Sequence, residues 1–214
     1  MYVASFNGVN ANVSIPTTGF PTGNSPVTLE AWVYENNLAK RYYVVGYGGS
    51  SSNTEFRMFL NDFSPGQFSL ETCGNGWTSS ASLSPKTWYH LVITYNGSGS
   101  PSFYVNGIKY PVASTWGTPS VNIALGGGSI GNRGSCGGGY YMNGSIANVQ
   151  IYSTALTPQE IQYLYQQGLG GGPIRLGSLV GWWPLNGDAK DYSGNNNHGT
   201  INGGVTFVQN YNPP

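Results

Sequence analysis

Apolar and polar positions alternate over short stretches of this chain. Val27-Thr28-Leu29-Glu30-Ala31-Trp32-Val33-Tyr34 is the clearest, and Glu55 to Leu60, Gln67 to Cys73 and Trp88 to Tyr95 follow the same two-residue period. Each is bounded by Gly, Pro, Asn or Ser, which mark strand ends. Further strands are predicted at Ser102 to Val105, Val121 to Leu125, Ser145 to Tyr152, Leu179 to Leu185 and Val205 to Val208. Seven Asn-Gly pairs begin at Asn7, Asn75, Asn96, Asn106, Asn143, Asn186 and Asn202, and both residue types tolerate the positive φ of tight hairpin turns. Strands with one apolar face, recurring about every ten residues, predict two packed antiparallel sheets.

One segment breaks the pattern. Thr157-Pro158-Gln159-Glu160 offers an N-cap, a proline at the first helical position and a capping-box glutamate. A short helix is predicted from Pro158 to Gln167, with Ile161, Leu164 and Tyr165 as its buried stripe and Gly168 beyond its end. Residues 168–178 then read as a Gly-rich linker. Asp188 to Gly199, rich in Asn, Gly and Ser, reads as turns.

Composition narrows the function. Charged residues are 7% of the 214 and the formal net charge is zero. Eight scattered Lys and Arg form no basic stripe, which argues against nucleic acid as a partner. No apolar run approaches the ~20 residues of a membrane span. Met1 to Phe6 lacks the basic and apolar regions of a leader peptide, so the expectation is a removed leader or a fragment. Cys73 and Cys136 are expected to pair in an oxidising compartment. Sequons at Asn12, Asn96 and Asn143 fit a glycosylated protein outside the cell.

Four motifs taken in order resemble the laminin-G-like jelly-roll family of the concanavalin-A-like superfamily. They are Phe6-Asn7-Gly8-Val9; Thr28-Leu29-Glu30-Ala31-Trp32-Val33; Trp88-Tyr89-His90-Leu91-Val92 with Tyr104-Val105-Asn106-Gly107; and Asn143-Gly144-Ser145-Ile146 running into Val149-Gln150-Ile151-Tyr152 and Ala155-Leu156. The resemblance implies an all-β, two-sheet antiparallel jelly-roll sandwich with one short helix. It also implies that Trp182-Trp183-Pro184-Leu185 and Asp191-Tyr192-Ser193-Gly194, which open the family's usual order, are displaced here to the C-terminus. Residues 1–167 would form the core, 168–178 the linker, and 179–214 the strands completing the sandwich, either in cis or in a neighbouring subunit. Trp182, Trp183 and Leu185 would carry that completion.

Many enzymes of the superfamily cleave polysaccharide with two strand-borne carboxylates. No Asp or Glu pair shares one strand face here, and neither His90 nor His198 has a triad partner, so no catalysis is expected. Relatives often hold calcium with an Asp on the last long strand, where this chain has Ala147; Asp188 and Asp191 remain candidate ligands beside their simpler reading as turn residues. No cofactor is required. Trp77, Trp116, Tyr140 and Tyr141 can stack on a sugar and Arg133 can read hydroxyls, all placed by the pattern in loop-rich stretches at 74–80 and 114–141. The expectation is a non-catalytic extracellular or cell-surface lectin-like module for carbohydrate or another cell-surface ligand. The alternative is a structural subunit that polymerises head-to-tail by donating its C-terminal strand.

Overall fold

The structure, a computed structural model, describes residues 1–134 and 136–210. In chain order the strands are β1 (Tyr2–Asn7), β2 (Asn12–Ile15), β3 (Val27–Glu35), β4 (Tyr42–Gly48), β5 (Glu55–Leu60), β6 (Gln67–Glu71), β7 (Gly76–Ser82) and β8 (Trp88–Tyr95). Then come β9 (Ser102–Val105), β10 (Ile108–Tyr110), β11 (Val112–Trp116), β12 (Gly128–Ile130) and β13 (Asn143–Tyr152). The helix α1 (Pro158–Gln166) precedes β14 (Leu179–Trp183), β15 (Thr200–Asn202) and β16 (Thr206–Gln209).

These strands form two antiparallel sheets of eight. The first runs β10-β9-β8-β3-β13-β1-β16 with β14 also on β13; the second runs β11-β7-β6-β5-β4-β12-β2-β15. Their inner faces interdigitate through Phe6, Leu29, Val33, Phe56, Met58, Leu70, Ile93 and Ile146, as period-two alternation requires.

The outer face of the first sheet is buried too, which is why β3 is apolar on both sides. Thr157 and Glu160 close the capping box, and α1 lays Ile161 and Leu164 against Val92, Tyr104 and Tyr152. Tyr165 stacks on Trp32 at 5.8 Å. The stretch read as a linker is anchored there as well: Leu169 is buried with Val3, Trp32 and Ala147, and Gly171 O accepts from Asn148 Nδ2 at 2.8 Å.

The C-terminal segment contributes to both sheets. β13 is long enough for two neighbours on one side, so β1 takes its first half (Ala4 opposite Ile146) and β14 its second (Trp182 opposite Gln150). β15 then forms the edge of the second sheet against β2, and β16 the edge of the first against β1. Two expectations need correction. Val121 to Leu125 is not a strand but makes one bridge, Ile123 with Gly23, because the N–H groups of Asn122 and Ala124 tie instead to Asn53 and Thr54 carbonyls. Residues 76–82 are strand β7 and not a loop.

Candidate functional site

The outer face of the second sheet carries the densest chemistry. Cross-strand register sets Gly46, Arg57, Glu71, Gly76 and Trp116 in one row, while Tyr43, Phe59 and Ser69 form the next. Three guanidinium groups interleave with three carboxylates. Arg41 meets Asp62 at 2.7 Å and also Glu71; Arg133 bridges Glu55 at 3.0 Å and Glu71 at 2.7 Å; Arg57 reaches Glu55 at 3.0 Å and the Gly46 and Gly127 carbonyls. Burial pushes the Asp62 carboxyl up to about 6 against the pull of Arg41. Desolvation beside Glu71 pushes the Tyr43 hydroxyl well above its ordinary value.

Residues 131–134 and 136–142 fold over this row. Cys136 is bonded to Cys73, with Cα atoms 5.8 Å apart, so the loop is pinned where Arg133 enters the acidic pair. Glu55 and Glu71 are therefore a carboxylate pair that sequence reasoning missed, since they lie on neighbouring strands and not on one. Both are buried and held by Arg133, the opposite of a solvent-facing acid and base. Glu55 also approaches both sulfurs, but a disulfide presents no thiolate to a metal.

At the margin of the cluster the surface is open. The Trp116 ring lies over Gly76, where an added Cβ would come within 2.3 Å of it. Trp116 meets Phe63 edge-to-face at 5.1 Å, and Phe63 is 62% exposed. A cavity of about 210 Å³ adjoins them, lined by Leu38, Lys40, Arg41, Asn61, Asp62 and Phe63. The Tyr140 ring sits 4.9 Å from the Arg41 guanidinium.

Of the predicted aromatic set, then, Trp116, Tyr140 and Arg133 share one face, whereas Tyr141 is half-buried beside Tyr140 and joins no ring pair among the described residues. Arg133 is spent on the acidic pair and does not face solvent. Trp77 is a correction: strand alternation turns it into the inter-sheet core, where no ligand can stack on it. Phe63 and Arg41, which the sequence reading passed over, complete the surface. The Phe63-Ser64-Pro65-Gly66 turn signal marked their neighbourhood without marking their direction.

The acidic turn does not fit a cation. Both Asp191 oxygens accept backbone N–H groups, from Trp182 and Ser193 on one and from Asn197 on the other, at 2.8–3.0 Å. Asp188 accepts from the Lys190 N–H and the Tyr192 hydroxyl. In the early turn Asn7 Oδ1 accepts from Val9, Asn10 and Ala11 N–H, and Ala147 is buried among apolar side chains. Inward-pointing amide protons would oppose calcium at either place. The histidines have structural partners: His90 Nε2 lies 3.0 Å from Glu30 Oε1 beneath α1, and His198 Nδ1 accepts from Asp191 N. Among the sequons Asn96 is exposed in a turn, whereas the Asn12 and Asn143 amides are engaged by Asn202 and Asn36.

The profile of the concanavalin A-like lectin/glucanases superfamily matches residues 7–162. The chain belongs to this superfamily. Human adhesion G-protein coupled receptor D1 is 29% identical over 132 residues, 58% of this chain and 14% of the receptor. A Bacteroides ovatus protein whose proposed role is carbohydrate binding superposes with a TM-score of 0.71 at 20% identity, covering 99% of this chain and 60% of that one. Domain 4 of an extracellular arabinanase from Geobacillus stearothermophilus, solved with arabinotriose, gives 0.55 at 19% identity, covering 77% and 76%. At these identities the structural likeness speaks for the concanavalin A-like fold. The chain spans only part of the receptor and of the Bacteroides protein. Among the described residues no helix is long and apolar enough to cross a membrane.

Proposed function

We propose that this concanavalin A-like domain is a non-catalytic extracellular module that binds carbohydrate, as part of cell-surface recognition, on the outer face of its second sheet. The observation that carries the reading is the exposed Phe63 ring at the mouth of a polar cavity, backed edge-to-face by the half-exposed Trp116. An aromatic face suits the apolar side of a sugar ring, and the Arg41–Asp62 pair offers a fork for hydroxyls. The carbohydrate-binding descriptions of the Bacteroides protein and the arabinanase domain support it, as does the disulfide for an oxidising setting. The arginine-clamped, covered carboxylates support a module without hydrolytic activity. Completion of the sandwich by residues 179–209 fits the reading of displaced opening strands, since Asn210 N donates to Met1 O at 2.9 Å and brings β16 alongside β1. In this arrangement the segment closes on its own chain, and head-to-tail donation is not part of the proposal.

The test is calorimetric titration with arabinotriose, cellotetraose and chitotriose, comparing the native chain with Trp116→Ala and Phe63→Ser. One saccharide should bind saturably and weaken at least tenfold, roughly 1.4 kcal/mol, in both variants without a fall in melting temperature. Equal binding by the variants, or release of reducing ends from any of these saccharides, would sink the reading.

A further inference from the structure

On the opposite side of the molecule the first sheet has a groove of about 450 Å³ that the concanavalin A-like fold by itself does not explain. It crosses strands β8, β3, β13, β1 and β16 where the cover of α1 and Leu169 stops. Tyr34 stands directly opposite Trp88 on β3 and β8, and Ser145 opposite Tyr34 on β13. The two rings lie 5.6 Å apart and tilted by 50°, each half-exposed, so they form one end as an angled aromatic wall. Val3 and Val208 make an apolar floor, and Lys86, Thr87, Ser145, Gln209 and Asn210 surround it with donors. Asn210 Nδ2 is buried with no hydrogen-bond partner among the described residues.

We propose that this groove is a second saccharide site, and that it selects a carboxylated sugar such as a uronic acid. The size matches small-ligand pockets, which span roughly 300–1,000 Å³. Two half-exposed rings give the stacking face, and the Asn210 amide, unpartnered among the described residues, can meet an acceptor that a sugar hydroxyl supplies. Charge sets the preference. Lys86 is exposed at the rim, its backbone held in a left-handed turn (φ 60°) by a bond from its N–H to Glu35 O. Among the described residues it has no ion-pair partner and no acidic side chain lines the groove. The second sheet's outer face is the contrasting case, since every guanidinium there already faces a carboxylate. A carboxylate on the sugar would be the missing counter-charge to Lys86.

The experiment is titration of the full chain with tetragalacturonate and with its methyl-esterified, uncharged counterpart, followed by calorimetry. The acid should bind saturably and about tenfold more tightly than the ester, as one charge-assisted hydrogen bond implies. Lys86→Gln, at an exposed turn position, should bring the acid down to the affinity of the ester and leave the ester unchanged. Tyr34→Ala should weaken both. Trp116→Ala, on the other face, should alter neither, which separates this site from the one proposed above. No saturable binding, undiminished preference for the acid in Lys86→Gln, or loss of binding in Trp116→Ala would each overturn the proposal.

Discussion

Replacing Trp183 by alanine asks whether residues 179–209 are part of the sandwich or an appendage to it. Trp183 is fully buried within the inter-sheet core, near Phe20, with its ring packed so closely on Gly181 that a Cβ there would come within 2.2 Å. Its indole N–H donates to Asn197 O at 3.0 Å. Truncating a buried Trp costs about 3–5 kcal/mol through lost transfer energy and the cavity left behind. Orphaning the Asn197 carbonyl adds about 1 kcal/mol. Since about 1 kcal/mol moves the midpoint of a 150–250-residue domain by roughly 2–4 °C, the melting temperature should fall by roughly 10–20 °C. Trp182 is the internal control: half-exposed, bonded through its N–H to Asn148 Oδ1 at 2.8 Å and edge-on to Tyr192, it should cost about 1–2 kcal/mol as alanine. Thermal melts of both variants at two protein concentrations decide the matter. A Trp183→Ala protein melting within about 3 °C of the native one would refute the reasoning. A native midpoint that climbs with concentration would place the segment in a neighbouring copy instead.

Two further outcomes follow from buried groups. Burial pushes the Glu35 carboxyl from its ordinary 4.5 to about 7, against a hydrogen bond from Asn61, so its contribution to stability is full below pH 4.5 and is lost as pH rises through 7; Asp62 behaves alike. The protein should be about 1–3 kcal/mol more stable at pH 5 than at pH 8 in urea melts, and Glu35→Gln should flatten that slope; a slope of the opposite sign would contradict it. Reduction of Cys73–Cys136, which closes a loop spanning 63 positions, should cost about 4 kcal/mol, and alkylation should add two adducts to the intact mass. Two adducts formed by alkylation without reductant would exclude the bond.

Alternation located β3, β5, β8 and β9 to within a residue, because polar side chains such as Thr28 and Glu30, Glu55 and Arg57, or His90 recur between apolar ones and turn residues stand at the ends. The capping box at Thr157 did the same for α1. Alternation failed at β4, because Tyr42-Tyr43-Val44-Val45-Gly46-Tyr47-Gly48 carries no charged or amide side chain to mark a period. The site fared similarly. Trp116 and Tyr140 were legible as aromatic residues near glycine-rich turns, but Trp77 was misplaced because one register step decides which face of β7 a side chain occupies. The Glu55–Arg133–Glu71 clamp was beyond reach, being assembled from residues 16 to 78 positions apart on different strands and a loop.

That β15 and β16 form one edge of each sheet bears on how the protein is made. On a ribosome the residues up to β13 emerge first, with two rows of backbone N–H and C=O groups along β1 and β2 still waiting for neighbours. Those rows are templates for pairing with any extended chain, and they stay open until residues 153–209 have been added. At ~5–20 residues per second this exposure lasts seconds. Nascent copies on one polysome are therefore vulnerable to edge-to-edge capture during that interval, and a holdase would protect the chain most if it covered β1 and β2.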